Sequence, residues 1–273
     1  MKRDGARALA GGTDLIVQLK EGRRAASAIV DLKRIPQLVG ISERPDGSLA
    51  IGAAASSITI ARHKTVTEHF PSIAASVGLI GSLQVQSRAS LGGNITNAAP
   101  SADGVPAAMV LGAEVEIAGP GGMRRVGLGS IFSGPGRTTL AQGELLSAIV
   151  LPQQPARSAA TYLRFTPRRE MDIAVAGAAA RLVLGDDNKV AGVSVALASV
   201  APVPLAVDVS GALVGRGISS AAFVAAGKRA AESCRPISDT RGSADYRRTL
   251  VAVLTARALA DAARQLGLVV EVP

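Results

Sequence analysis

Short apolar runs broken by glycine and proline organise the first half of the chain. Ala6 to Ala10 runs into Gly11-Gly12, and DLIVQLK follows from Asp14, so a strand stops at a glycine corner and a helix begins, with Thr13 or Asp14 placed to cap it. Ala28 to Asp31 (AIVD) reads as a short buried strand. Leu38 to Ser42 and Leu49 to Ala53 flank RPDGS as a hairpin. Ser57 to His63 and Pro71 to Ile80 read as helices, the second ending near Gly78 or Gly81. The small-residue stretch Ser90 to Asp103 (SLGGNITNAAPSAD) reads as a glycine turn leading into a helix, VPAAMVLGA. Glu114 to Ala118 and Met123 to Leu128 pair across GPGG, GSIFSGPGRTTL is a long glycine-rich loop, and Glu144 to Leu151 is a strand ending at Pro152.

QQPARSAA, after that strand, is the best linker candidate, with a boundary near Pro155. Beyond it the pattern changes. Ala160 to Phe165, Ile173 to Leu184, Gly192 to Val200 and the region before Asp208 are apolar and strand-like, with a turn at Asp186 to Lys189. Ser219 to Cys234 and Asp245 to Gln265 are helices. In the second, Val251, Leu254, Ala258 and Ala262 share one face and Arg257, Asp261 and Arg264 another. The expected class is α+β: two small α/β subdomains, about 1–52 and 53–155, then a β-meander covered by helices over 156–273.

With 273 residues, 48% of them apolar, the chain can bury a sizeable core. Its formal charge of +9 is carried by scattered arginine pairs, and with four Phe, two Tyr and no Trp it has few rings to stack on bases. That favours an anionic ligand or acidic protein partner over nucleic acid. Cys234 stands alone, which excludes an intrachain disulfide and a thiolate set for zinc or iron–sulfur and suggests a reducing, cytoplasmic setting. His63 and His69 read as surface residues rather than metal ligands. Met1 to Ala10 lacks a signal-peptide core. Val190 to Val207 carries no charge, but Pro202 and Pro204 break it as a membrane span.

No dinucleotide fingerprint follows a strand, no phosphate-binding P-loop occurs, and two histidines in one stretch assemble no catalytic triad. Two glycine corners remain, at Gly11-Gly12 and Gly92-Gly93. Each can press bare backbone N–H groups on phosphate or carbonyl oxygen, and the two could share one diphosphate-bearing ligand. Asp103 either accepts hydrogen bonds from sugar or amide groups of that ligand or caps the following helix. A bound cofactor would carry the chemistry.

AGGTDL (Ala10 to Leu15), SLGGNITNAAPSAD, SGPGRTTL (Ser133 to Leu140), GELL (Gly143 to Leu146), RREMDIA (Arg168 to Ala174) and PISDTRGSADYRR (Pro236 to Arg248) together resemble the FAD-binding medium subunit of the xanthine dehydrogenase and carbon monoxide dehydrogenase family of molybdenum hydroxylases. The resemblance implies a two-subdomain FAD-binding fold of the vanillyl-alcohol oxidase (PCMH) type over 1–155, and a carbon monoxide dehydrogenase flavoprotein C-terminal domain over 156–273. It implies FAD contacts at Arg7, Ala8, Leu9, Ala10, Gly11, Gly12, Thr13 and Asp14 from the first corner. Ala89, Ser90, Leu91, Gly92, Gly93 and Asn94 are the implied contacts of the second, joined by Ile80, Asp103, Leu145 and Arg164. Ile80 replaces an aromatic residue of some relatives, Leu163-Arg164 replaces the commoner aromatic and lysine, and Gln86-Ser87 departs from a usual Arg-Asn-like pair. Family members usually begin earlier, with a strand and a helix that this chain is expected to lack, which would leave the Ala6–Ala10 strand an under-covered edge.

The implied activity is the flavin half-reaction of an oxidoreductase complex, with no catalytic side chain and no metal in this chain. Its partners would be a molybdenum-cofactor large subunit and a two-iron two-sulfur small subunit, and its external acceptor NAD, a quinone or dioxygen. The competing readings are a stand-alone flavin oxidase of the same fold and a non-catalytic basic interaction module.

Overall fold

The computed structural model describes residues 4–273. Strand β1 (Ala6–Leu9) leads through the glycine corner to α1 (Leu15–Lys20) and pairs in parallel with β2 (Ala28–Asp31). This two-stranded unit is thinly covered. β2 is not the buried strand its composition suggests: Ile29 and Val30 are 50% and 39% exposed, as is much of Ile16, Val17 and Ile35. Apolar runs this short cannot say by themselves whether anything packs over them.

The chain continues through α2 (Pro36–Val39), which takes Leu38 out of the expected hairpin, to β3 (Ile41–Glu43) and β4 (Leu49–Gly52). Four short helices follow: α3 (Ser57–Arg62), α4 (Lys64–His69), α5 (Pro71–Gly78) and α6 (Leu83–Gln86). His69 is exposed, whereas His63 is half-buried where α3 gives way to α4. Next come α7 (Leu91–Asn97), α8 (Gly104–Val110) and the hairpin β5 (Glu114–Gly119) and β6 (Gly122–Gly127). The glycine-rich stretch beyond is more ordered than its composition suggests, holding the small hairpin β7 (Phe132–Gly134) and β8 (Arg137–Thr138). β9 (Leu145–Leu151) then inserts between β4 and β5, giving a five-stranded sheet of order β3-β4-β9-β5-β6.

Ser158–Phe165 forms β10, and a meander continues through β11 (Ala176–Leu184), β12 (Val190–Ala198) and β13 (Leu205–Val207). β11 starts at Ala176 rather than Ile173, which is 46% exposed. Short α9 (Ser210–Leu213) precedes the covering helices α10 (Ser220–Ser233) and α11 (Ala244–Gln265). The alanines of β11 are explained by burial on both faces. Ala176, Ala178, Ala180 and Leu182 enter the core under α10 and α11, while Ala179 joins Ala160, Tyr162 and Ala196 in the core built around α5, α7 and α8. A strand sandwiched in this way alternates two apolar faces rather than apolar with polar. Gln154 pins the connection between the two sheets, donating to the Leu111 carbonyl at 3.1 Å and accepting from Arg181 at 2.9 Å.

Arg247, only 3% exposed, ties these layers: its guanidinium donates to the carbonyls of Val175 (2.7 Å) and Ser199 (3.1 Å) and to Asp239 (2.7 Å). No helix among the described residues is long and apolar enough to cross a membrane.

Candidate functional site

The two glycine corners meet. A Cβ on Gly11 would lie 2.7 Å from Ala89 Cα, so only glycine lets the end of β1 touch the backbone that enters α7. Gly12 has φ +79°, the left-handed region in which a Cβ is strained. Between the corners opens a cleft of about 270 Å³. Its walls are the first corner, α1, the start of α7 and the apolar side chains of Ile80, Leu140, Leu145 and Leu146.

The corners differ in what they offer. The second is not a turn but the first turn of α7, and Gly93 does not adopt positive φ. Ser90 caps it, accepting from Gly93 N–H at 3.1 Å, and Gly92 N–H donates to the Ala53 carbonyl at 3.1 Å. Those donors, expected to be bare, already have protein partners. At the first corner, by contrast, the N–H groups of Gly12, Thr13, Asp14 and Leu15 donate to no protein acceptor among the described residues. Neither Thr13 nor Asp14 caps α1: Asp14 stands at the cap position with helical dihedrals and no side-chain hydrogen bond to the helix backbone. The cleft's uncommitted backbone donors thus come from Gly12 to Leu15.

Asn94 also lines the cleft, but its Oδ1 is buried without a protein donor beside Gly104 at the start of α8. A buried polar atom without a partner is costly unless something binds it. Asp14 and Asn97 are joined at 3.1 Å, with the Asn97 amide donating, and Gln18 donates to Asn97 Oδ1 at 3.4 Å. Crowding by the cleft wall raises the Asp14 carboxyl above its usual range, partly offset by a bond from Thr13. Glu144, on the opposite wall, is locked by Arg124 (2.7 and 2.8 Å) and the Ala141 N–H (2.8 Å), which hold its pKa down at about 2.

Every residue expected at the site lines this cleft except Leu9, Leu91, Asp103 and Arg164. Leu9 turns the other way along the strand, toward Gly12 and α1, and Leu91 is fully buried in the core. Asp103 neither caps α8 nor reaches the cleft surface. Its carboxylate accepts from the Tyr162 hydroxyl (2.7 Å) and Arg164 (2.5 Å), all three side chains being largely buried. Burial pushes the Asp103 carboxyl up, against the pull of Arg164 and Tyr162, and drives the Tyr162 hydroxyl well above its usual range.

Sequence reasoning missed Gln18, Arg24, Thr96, Asn97, Leu140 and Glu144, which also line the cleft. Gln18 carries a usable signal, standing one helical turn beyond Asp14. The others arrive through tertiary contacts. No group of three or more potential metal-ligating side chains occurs among the described residues.

Residues 1–154 match the family described as the FAD binding domain in molybdopterin dehydrogenase, and residues 161–262 the CO dehydrogenase flavoprotein C-terminal domain. The chain is 34% identical over 256 residues to the carbon monoxide dehydrogenase medium chain of Afipia carboxidovorans, covering 93% of this chain and 88% of that one. It is 29% identical over 264 residues to the xanthine dehydrogenase FAD-binding subunit of Escherichia coli O157:H7, covering 96% and 90%. Among solved structures, a chain of carbon monoxide dehydrogenase from Hydrogenophaga pseudoflava superposes with a TM-score of 0.91 at 29% identity, covering 97% and 91%. Quinoline 2-oxidoreductase from Pseudomonas putida 86 gives 0.89 at 28%, covering 96% and 90%.

Proposed function

We propose, for a chain that belongs to the family of FAD-binding medium subunits of the molybdenum hydroxylases, that its cleft holds the FAD diphosphate on the backbone of Gly12 to Leu15. The family establishes an oxidoreductase subunit that binds FAD in a two-part α+β fold, and the reading as a mere basic interaction module falls away. The contact set, the partners and the acceptor are our reading. One observation carries it: Gly11 seats the first corner against Ala89, so the uncommitted backbone donors of Gly12 to Leu15 face the start of α7 across one cleft.

The residues present fit the cofactor. Backbone N–H groups suit phosphate oxygens, and Ile80, Leu140 and Leu145 give the apolar surface a ring system needs. Gly92 acts by shape, its missing Cβ letting α7 start against the backbone of Ala53. Asp103, Tyr162 and Arg164 form a buried polar cluster at the start of α8, off the cleft surface. When bound, FAD supplies one- and two-electron redox chemistry that no side chain here offers. The chain's own work is to bind it, orient it and shield one face from water.

On this reading residues 1–155 form the FAD-binding unit and 156–273 a second unit. An iron–sulfur subunit associated with a molybdenum-containing subunit delivers electrons, and NAD, a quinone or dioxygen removes them. The test is Gly11→Val. Wild-type protein passed over a desalting column with FAD should keep flavin absorbance in proportion to protein, and the folded variant should emerge colourless. Stoichiometric FAD in the variant would sink the assignment.

A further inference from the structure

Helix α1 forms one wall of the cleft yet buries none of its residues, and its apolar Ile16 and Val17 are 42% and 44% exposed. It spans six residues and has no side-chain cap. A helix this short does not persist on its own hydrogen bonds in water. Packing does not supply what is missing, so specific polar ties must.

Those ties converge on one side chain. Asn97, the last residue of α7, donates from Nδ2 to Asp14 Oδ1 at 3.1 Å and accepts on Oδ1 from Gln18 Nε2 at 3.4 Å. It thereby engages both ends of the first turn of α1, across 83 and 79 residues of chain. Asn97 is itself fixed. The residue after it, Ala98, is fully buried with φ +50°, and its carbonyl accepts from Gly136 N–H at 2.9 Å, so the end of α7 is anchored in the body of the protein.

We infer that Asn97 is a positioning residue: a latch that holds α1 against α7 and thereby keeps the N–H groups of Gly12 to Leu15 directed into the cofactor cleft. This rests on the reading of the cleft as the FAD site, but the latch itself is a property of the chain without ligand. An amide is suited to the place because it presents a donor to Asp14 and an acceptor to Gln18 at once, which neither a carboxylate nor an aliphatic side chain can do. The other ionisable groups lining the cleft are Arg7, Arg24 and Glu144, the last committed to Arg124.

The experiment uses the isosteric Asn97→Asp, which preserves shape and sets a carboxylate against Asp14, and the swap Asn97→Asp with Asp14→Asn, which reverses the direction of the same hydrogen bond. Amide hydrogen exchange over residues 15–20 is read without FAD, and FAD affinity by fluorescence titration. Loss of a hydrogen bond to a charged group predicts that the single variant exchanges and releases FAD about tenfold more readily. The swap should bring exchange back toward wild type, a rescue that a merely structural effect at position 97 would not give.

Unchanged exchange and FAD affinity in Asn97→Asp, or a swap that leaves the accelerated exchange in place, overturns the latch. Wild-type protein that fails to bind FAD would instead overturn the reading of the cleft, since the exchange comparison needs no ligand.

Discussion

Glu144 shows how much one side chain's surroundings can change. Arg124 and the Ala141 N–H hold its carboxyl at about 2 in the folded protein against an ordinary value near 4.5. A depressed carboxylate contributes stability that is complete above the unfolded value and lost as pH falls through the folded one. The melting-temperature gap between wild type and Glu144→Gln should therefore be constant above about pH 5 and close between 4.5 and 2. A gap independent of pH would show that the charge is not what matters. Asp103 behaves differently because it is buried. Removing it as Asp103→Ala leaves the Arg164 guanidinium, 6% exposed, without its counter-charge, a loss of about 3–5 kcal/mol. Tyr162→Phe removes one donor from a carboxylate that Arg164 still holds, about 1 kcal/mol. Urea unfolding of the two variants should separate them in that order, and equal losses would mean that the guanidinium is rehydrated. The larger figure measures an orphaned cation, not the worth of the pair.

Among elements, α7 and α11 depend on particular polar groups. Ser90→Ala removes the cap of α7 and frees the Gly93 N–H, costing about 1 kcal/mol of stability. The freed donor then faces the cleft, so FAD affinity should fall less than stability does; a variant that loses FAD outright while melting like wild type would show Ser90 to be a direct contact. In α11, Arg247→Met keeps the stem but strips the carbonyls of Val175 and Ser199 of their donor, with an expected loss of about 3 kcal/mol by thermal or urea unfolding. Most elements could be anticipated from periodicity. α7 could not, because glycine at two of its first three positions argues against helix; Ser90 and the packing of Gly92 on Ala53 override that preference.

For the molecule as a whole, FAD binding and folding are linked. Ligand at a hundred times its dissociation constant adds about 2.7 kcal/mol to the state that binds it. Because the face of the second sheet that carries Tyr162 and Ala179 belongs to the same core as α7 and α8, the stabilisation should spread beyond residue 155. Added FAD should raise the melting transition as one event, with slower amide exchange in β10 and β11 as well as around the cleft. Protection confined to residues 4–155 would show that the two units unfold separately.

The sequence by itself determined most of the longer strands and helices, the glycine corner at Gly11-Gly12, the α+β class and, through its motifs, the family and its cofactor. These are local properties: periodicity, turn chemistry and residues whose spacing along the chain is itself the signal. Which backbone donors remain uncommitted was decided only in three dimensions. Gly92 and Gly93 look equivalent to Gly11 and Gly12 as a string, but Ala53, 39 residues upstream of Gly92, takes one of their N–H groups and Ser90 the other. The partners of Asp103, the exposure of β2 and the hold of Asn97 on α1 are likewise contacts between residues far apart in the chain. Whether a polar group is satisfied, and hence what it can still bind, depends on neighbours that only the folded chain brings within hydrogen-bonding distance.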